Sequence, residues 1–243
     1  MRLTRSFVAQ PLPVGSTIAL PEDAAAHLVR VLRLQAGDPC VLFNGDGFDC
    51  DARIASVGKR EVLADIVASR PVDNESPLAI TLLQGIARGE KMDLILQKAT
   101  ELGVTRILPV SSERSEVKLD AQRADKRVAH WREVVVSACE QSGRARVPEV
   151  AAPQPLAQAA ALRQGRGFIL DPFAQQALSA LQGSELPACT LAIGPEGGWS
   201  PRDREQLVAA GFEGLRLGPR ILRTETAGIA AIAALQAMVG DLG

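Results

Sequence analysis

Glycine, arginine and glutamate residues near the C-terminus are spaced so that they could do chemistry. The segment GPEGG at positions 194–198 carries Glu196, and the segment RILRTE at positions 220–225 has R-x-x-R-x-E spacing. A carboxylate can accept a proton, and a guanidinium can stabilise a developing negative charge. Glycine has no Cβ atom, so it lets a ligand touch the main chain. We expect a binding loop at 194–198 and a second functional turn at 218–226.

Two short apolar segments, 191–193 and 215–217, are predicted to be buried strands that position these turns. A helix is expected after the first turn, because Ser200 can cap it, Pro201 suits its first position and Asp203 its first turn. In an open α/β sheet, ligands bind beyond the carboxyl ends of the strands. Two ordinary strand-to-helix turns are the alternative, but two such turns in succession favour one shared site.

The surrounding sequence alternates strands and helices from residue 78 onward. Segments 78–84, 106–110 and 168–170 are predicted strands, with helices that end at Gly103 and Gly143. The longest helix, 121–142, is expected to bury Val128, Trp131, Val135 and Ala138, and an Ala-rich helix, 227–239, to be buried on most sides. This pattern indicates an α/β fold with a mostly parallel sheet covered on both faces.

Residues 1–72 have a different pattern, with predicted strands at 17–20, 40–43, 51–57 and 61–67 and hairpin turns at 44–47 and 57–60. Many short strands in so few residues predict a small β-barrel. One helix, 22–34, is expected to face inward with Leu28, Val31 and Leu32. The polar segment 70–77 has two prolines and is a predicted linker, which divides the chain into domains 1–72 and 73–243.

A basic patch in the first module is the strongest candidate for a nucleic-acid surface. His27, Arg30 and Arg33 are neighbours on the predicted helix, and Arg2 and Arg5 belong to the same module. The patch could contact phosphates, which position RNA without reading its sequence. From spacing alone, a solvated helix face explains it better.

Composition excludes several classes of protein. The 243 residues have a net charge of -1, so any nucleic-acid contact must depend on local clusters. The four cysteines have neither zinc-site nor disulfide-framework spacing. Cys40 and Cys50 could meet across a hairpin, but two half-buried thiols explain them better. No signal peptide or membrane span is evident, which predicts a cytoplasmic protein. Two histidines nearly exclude a histidine metal site, and the P-loop lysine and G-x-G-x-x-G are absent, so neither ATP nor NAD is indicated.

The paired segments IGPEGGWSPRDRE and LRLGPRILRTETAGIAAI resemble the signature of the RsmE family of SPOUT-class methyltransferases. RSF, HLVRVLRLQAGD, ARGEKMDLILQKATELGV, SSERSEV and ACEQSGR resemble its other segments, so the likeness covers nearly the whole chain. The resemblance implies methylation of N3 of a specific uridine in 16S ribosomal RNA of the small subunit. It also implies a trefoil-knotted C-terminal domain that binds S-adenosylmethionine (SAM), an N-terminal PUA-like β-barrel, and a homodimer formed partly by the last helix.

The resemblance also implies site residues. The cofactor would be bound by residues at three strand ends, namely Leu170, Gly194, Pro195, Glu196, Gly197, Gly198, Leu217, Gly218, Ile221, Leu222, Arg223, Thr224, Thr226 and Ala227. RNA would be bound by Arg2, Arg5, His27, Arg30, Arg33, Arg88, Arg114, Gln141 and Arg144. The matching segments also draw attention to Lys91, Lys98, Glu101 and Glu140, for which surface charge or helix pairing is as good an explanation as substrate contact.

Methylation at uracil N3 requires removal of the N3 proton and in-line positioning of the reactants. Glu196 and Glu225 are the candidate bases, although such a carboxylate could instead fix a loop by bonding main-chain amides. Arg220 or Arg223 could stabilise negative charge on uracil, and we hypothesise that Arg223 stabilises the base or an adjacent phosphate. These three residues, Arg223, Glu225 and Glu196, are the candidate catalytic residues.

Two other functions remain open from the sequence. The chain could be a SPOUT methyltransferase that acts on another RNA, such as transfer RNA. It could also be a non-catalytic RNA-binding or ribosome-assembly protein that kept the fold. An α/β domain that binds some other nucleotide is less favoured, because the first module and both turns match one family together.

Overall fold

The computed structural model describes residues 3–116 and 121–243, and Arg2 therefore lies outside the described residues. Internal contacts divide the described chain into two compact units. The first consists of residues 3–75 together with Cys139–Val147, and the second of Ser76–Ala138 and Pro148–Gly243. Among the helices of residues 3–116 and 121–243, none is long and apolar enough to cross a membrane.

The first unit is built on one five-stranded sheet. Its strands are β1 (Arg5–Phe7), β2 (Thr17–Ala19), β3 (Pro39–Phe43), β4 (Phe48–Val57) and β5 (Val62–Pro71), in the order β1-β3-β4-β5-β2. All pairs are antiparallel except β1 with β3. Alternate side chains of these strands, such as Cys40, Leu42, Ile54 and Ile66, point to a single core, which also includes Val8.

A helix in the first unit differs from the prediction. It begins as α1 (Glu22–Ala25) and continues as a π-helix, Ala26–Val31, in which the N–H of Leu32 bonds to the carbonyl of His27. The wider π turn rotates the later side chains relative to an α-helix. Leu28 is fully buried as expected, but the inward placement of Val31 and Leu32 was wrong, since they are 67% and 41% exposed.

The second unit contains a wholly parallel sheet. Its strands are β6 (Ala79–Gly85), β7 (Val104–Ser111), β8 (Glu149–Val150), β9 (Gln154–Pro155), β10 (Arg166–Leu170), β11 (Ala188–Ile193) and β12 (Phe212–Leu215). The order is β12-β10-β11-β6-β7-β8, with β9 also paired to β7. The predicted parallel α/β sheet is therefore confirmed, whereas the trefoil knot stays a prediction.

Helices connect the strands of this sheet. They are α2 (Glu90–Glu101), α3 (Ala121–Ser142), α4 (Leu156–Ala161), α5 (Pro201–Ala209) and α6 (Thr224–Val239), with a 3-10 turn at Leu178–Leu181. The four residues predicted to face inward on α3 are all buried. Gly143 ends α3 with a φ of 89°, a left-handed conformation that glycine adopts without strain.

The C-terminal end of α3 and the loop after it, Cys139–Val147, belong to the first unit, although the sequence placed them in the second domain. The reason is a buried set of polar contacts. The Arg5 guanidinium donates to Asp49 Oδ1 at 2.6 Å and to the Cys139 carbonyl at 2.8 Å. Arg144 is 4% exposed and its Nε donates to Glu75 Oε1 at 3.0 Å. Contacts between residues so far apart in the chain are invisible to local patterns.

All four cysteines are free and buried, so Cys40 and Cys50 are separate thiols. Leu42, and not Cys40, lies opposite Cys50 across the β3–β4 pair. Burial raises the pKa of the Cys40 thiol to about 11 and that of the Cys189 thiol to about 12. These thiols are protonated and unreactive at neutral pH.

Candidate active site

The candidate site lies at the carboxyl ends of three neighbouring strands of the second unit. Strands β12, β10 and β11 are adjacent and end at Leu215, Leu170 and Ile193. A cavity of about 610 Å³ opens there, between the loop 194–198 and the loop 221–225. A smaller cavity of about 80 Å³ adjoins it and shares Leu170, Pro172, Ile221, Leu222 and Ala227 with it. We call the two together the strand-end cavity, which has the location expected for a ligand in an open α/β sheet.

The first loop, 194–198, is fixed by hydrogen bonds and an ion pair of the Glu196 carboxylate. Glu196 accepts hydrogen bonds from the main-chain N–H of Arg88 at 3.1 Å and from Nζ of Lys91 at 3.4 Å. Burial raises the pKa of the Glu196 carboxyl, but bonds from the Arg88 and Glu196 amides and the charge of Lys91 outweigh it, so the pKa lies below its ordinary value of 4.5. Glu196 is therefore an anion at neutral pH that fixes the loop, which leaves it a weak proton acceptor.

A second cation supports the same loop. Arg114 Nη1 donates to the carbonyl of Gly197 at 3.0 Å and lies 3.5 Å from the carbonyl of Trp199. The loop then enters α5 through a capping box, in which Ser200 and Asp203 exchange side-chain and main-chain hydrogen bonds. The predicted cap at Ser200 is confirmed, and the box satisfies two main-chain donors that the helix leaves unpaired.

The second loop leads into α6, with Arg223 as its N-cap and Thr224 as its first residue. Arg223 is exposed at the cavity, while Glu225 is half-buried and also lines it. Within residues 3–116 and 121–243, Glu225 Oε2 is a buried oxygen without a hydrogen-bond partner. An unpaired carboxylate oxygen beside a cavity is costly unless a ligand satisfies it. Glu225 is thus the carboxylate in this site that is available to a ligand.

Arg220 lines only the smaller of the two cavities, and it is exposed. The strand before this loop is Phe212–Leu215, so the predicted strand 215–217 began three residues too late and ended two residues too late. The cause is the partner strand, because β10 ends at Leu170, which is the residue paired with Leu215. Leu217 consequently lies in the turn and lines the cavity.

The structure brings nearly all the predicted cofactor residues to the strand-end cavity. Thirteen of the fourteen line it, and Thr226, which is exposed on α6, does not. Several lining residues were not among the predicted cofactor residues. They are Lys91, Arg114, Asp171, Pro172, Phe173, Ile193, Trp199, Arg204, Arg220 and Glu225, of which Lys91, Arg114, Arg220 and Glu225 had been noted in other roles. The segment DPF at 171–173 directly follows a predicted strand, and that position was the signal that could have identified it.

The predicted RNA-binding residues lie in three different environments: two are buried, one supports a loop of the site, and most of the others are exposed. Arg5 and Arg144 are buried in ion pairs with Asp49 and Glu75, so the structure uses them inside the first unit in place of the expected phosphate contacts. Arg114 supports the loop 194–198. Five described members of the predicted set remain. His27 is half-buried, and the exposed ones are Arg30, Arg33, Arg88 and Gln141. Arg33 has a φ of 61°, an unusual conformation for a residue with a Cβ atom.

We expect Gly85→Ala to lower the free energy of unfolding by about 1 to 3 kcal/mol, the usual effect of overpacking. A Cβ atom at Gly85 would lie 2.5 Å from the N and Cδ atoms of Pro195, which are main-chain or ring atoms that cannot turn aside. Gly228→Ala is the matched control, since its Cβ would have no neighbour nearer than 3.7 Å. Urea unfolding of both variants tests this, and equal stability would contradict the close packing of β6 against the loop.

The chain was compared with known proteins. The family model for an RNA methyltransferase domain matches residues 74–236, and that for an RNA methyltransferase PUA domain matches residues 20–67. "Ribosomal RNA small subunit methyltransferase E" of Buchnera aphidicola subsp. Schizaphis graminum is 33% identical over 99% of this chain and 98% of its own. The protein of that name in Bacillus subtilis is 31% identical, over 93% and 92%.

A solved structure is similar over the full length of both chains. It is a ribosomal RNA small subunit methyltransferase E from Neisseria gonorrhoeae bound to S-adenosyl methionine, with 42% identity, complete coverage of each chain and a TM-score of 0.94. The parallel sheet, the strand-end cavity and the PUA module define the class as an RNA methyltransferase with an N-terminal PUA-like domain. More particularly, the chain belongs to the ribosomal RNA small subunit methyltransferase E family.

Proposed function

We propose that this protein methylates N3 of a specific uridine in 16S ribosomal RNA, with SAM as the methyl donor. The observation that carries the proposal is the strand-end cavity, formed by two loops in a chain whose Neisseria gonorrhoeae relative binds S-adenosyl methionine. Its volume of about 610 Å³ is within the range of cavities that hold ligands of this size. Bacterial ribosomal RNA is in the cytoplasm, which is where we place the protein.

The residues of the strand-end cavity fit SAM. Apolar side chains from Leu170, Ile221, Leu222 and Ala227 offer a surface for the adenine, and main-chain groups of 194–198 offer hydrogen bonds. The buried Oε2 of Glu225, which has no hydrogen-bond partner among the described residues, offers an acceptor for a hydrogen bond from a ligand or for a proton. When bound, the cofactor supplies an electrophilic methyl group.

Two side chains of the second loop would act on the uracil. Arg223, exposed at the cavity, would place its guanidinium beside uracil O2 or O4, or beside an adjacent phosphate, and stabilise negative charge. Glu225 would accept the N3 proton, since Glu196 is already bonded to the Arg88 amide and Lys91. The roles of the two glutamates are thus separated by their hydrogen bonds.

RNA phosphates would be bound by the exposed basic residues of the predicted set. In the first unit these are Arg30 and Arg33, with half-buried His27 beside them. Exposed Val31 and Leu32 between the arginines add an apolar surface on which a base could pack. In the second unit, Arg88 is exposed and forms an ion pair with Glu116, and its main-chain N–H bonds to Glu196 of the loop 194–198.

We also propose that two copies form a homodimer through the face that carries the strand-end cavity. Phe173 and Ile221 line the cavity and are 78% and 79% exposed, the two highest values among the large apolar side chains of the described residues. Next to them, Leu178, Leu217 and Met238 line an open apolar groove. Exposed apolar surface of this kind is typical of a protein interface.

We expect Phe173→Asp to shift the protein from dimer to monomer at micromolar concentration, because the interface would have to bury an unpaired carboxylate. Sedimentation velocity measures the change. Val31→Asp, at an exposed apolar position of the first unit, is the control and should leave the dimer intact. A dimeric Phe173→Asp protein, or a wild-type monomer, would refute this interface.

Binding of SAM tests the cofactor, and transfer of labelled methyl to small ribosomal subunits and not to transfer RNA tests the substrate. Calorimetric titration of the purified protein should give a single site per chain. Methylation of transfer RNA alone would keep the cofactor and replace the substrate. RNA binding without SAM binding would favour a ribosome-assembly protein.

A further inference from the structure

Gln84 is a polar residue in the centre of the second unit, next to the end of β6. Its side chain is fully buried, and its Nε2 donates to the carbonyl of Gly85 at 2.8 Å and to Oγ1 of Thr224 at 3.1 Å. A carbonyl can only accept, so the bond to Gly85 places the amide nitrogen, and not the oxygen, on this side. Burying an amide in a strand is unfavourable unless its bonds are made, and Oε1 of Gln84 is buried without a hydrogen-bond partner among the described residues. The position therefore has a polar purpose beyond filling the core.

The Thr224 hydroxyl connects Gln84 to the first loop through a second hydrogen bond. It accepts from Gln84 and donates to the carbonyl of Gly194 at 2.6 Å. The direction of each bond is determined, because the amide nitrogen is only a donor and the carbonyl only an acceptor. The result is a chain of hydrogen bonds from Gln84 through Thr224 to Gly194.

This chain of hydrogen bonds joins β6 to two elements that form the strand-end cavity. Gln84 belongs to β6, Thr224 is the first residue of α6, and Gly194 begins the loop 194–198. The next residue of that loop, Pro195, has no main-chain N–H with which to anchor itself. Thr224 Oγ1 thus links the start of the first loop to the second loop, and the separation of the two loops sets the width of the cavity.

We propose that Gln84 is a positioning residue for SAM. It has no exposed surface with which to touch the cofactor, so it acts by orienting the Thr224 hydroxyl, which in turn holds the Gly194 carbonyl. The proposal rests on the proposed function, because it assigns a purpose to the same cofactor site. Its consequence is that loss of either side chain loosens both loops together.

The test compares Thr224→Val with Thr224→Ser, which remove and keep the hydroxyl. We expect Thr224→Val to raise the Kd for SAM about 5- to 10-fold, as for the loss of one hydrogen bond, and Thr224→Ser to stay within about 2-fold of wild type. Gln84→Leu should raise the Kd to a similar extent. The KM for ribosomal subunits should not change in any of these variants.

The double variant Gln84→Leu/Thr224→Val separates this account from two independent packing defects. If the residues act as one chain of bonds, the double variant should bind SAM no worse than the weaker single variant. Additive losses, a Thr224→Ser as impaired as Thr224→Val, or unchanged SAM affinity in Thr224→Val would each overturn the proposal. If Gln84→Leu does not fold, the two Thr224 variants decide. A wild-type protein that fails to bind SAM would instead refute the proposed function.

Discussion

Replacing Arg223 by alanine is expected to lower kcat for methylation of small ribosomal subunits by about 10²- to 10³-fold, the usual effect of removing one group that stabilises an anion in a transition state. Arg223 is exposed at the cavity beside Glu225, where uracil would lose its N3 proton. The Kd for SAM should change only a few-fold. Single-turnover transfer of labelled methyl at saturating SAM isolates the chemical step.

Arg220→Ala is the matched control, because Arg220 directly precedes the loop 221–225, is also exposed, and lines only the smaller of the two cavities. It should retain turnover within about 5-fold of wild type, as is usual for an exposed charge outside the reaction centre. If Arg223→Ala kept normal turnover, Arg223 would have no role in the reaction. If Arg220→Ala were the slower variant, the cation would have been assigned to the wrong arginine.

The second large effect is expected for Glu225→Gln, which should lower kcat by about 10²-fold or more, because a glutamine cannot accept the N3 proton. The amide is close to the carboxylate in size and shape, so the cavity should be preserved. Glu225 is chosen because its Oε2 is buried and has no hydrogen-bond partner among the described residues. A pH–rate profile of the variant, measured with saturating subunits, gives the direct comparison.

Glu196→Gln should behave differently, since Glu196 holds the loop 194–198 through the Arg88 amide and Lys91. We expect a higher Kd for SAM and a kcat within about 10-fold of wild type at saturating SAM, the effect of weakening one or two hydrogen bonds. The reverse pattern, with kcat lost in Glu196→Gln and kept in Glu225→Gln, would exchange the two roles. Loss of kcat in neither variant would mean that solvent takes the proton.

Elements with strong local signals could be predicted from the sequence. The bounds of α3 and its buried face were predicted because its apolar residues recur at helical spacing and a glycine follows. The π-helix at Ala26–Val31 was missed, since its first turn has the same apolar spacing as an α-helix. The end of β12 was missed because it depends on where the partner strand β10 stops.

The candidate site was predicted in its location but not in the division of roles. Glycine-rich turns after two strands were enough to locate the cavity. The roles of Glu196 and Glu225 could not be distinguished from the sequence. The hydrogen-bond partners of Glu196 are more than a hundred residues away in the chain, and Oε2 of Glu225 has none among the described residues. Arg5 and Arg144 looked like surface cations for the same reason: their carboxylate partners, Asp49 and Glu75, are distant in sequence.

Transfer of labelled methyl from SAM to small ribosomal subunits is the most direct test of the central claim. The subunits should come from cells that lack this protein, and the modified nucleoside should then be identified and mapped. We predict N3-methyluridine at one site of 16S ribosomal RNA, with no label in transfer RNA. Label at another nucleoside, or in another RNA, would contradict the proposed substrate, and no transfer to any RNA would contradict the proposed enzyme.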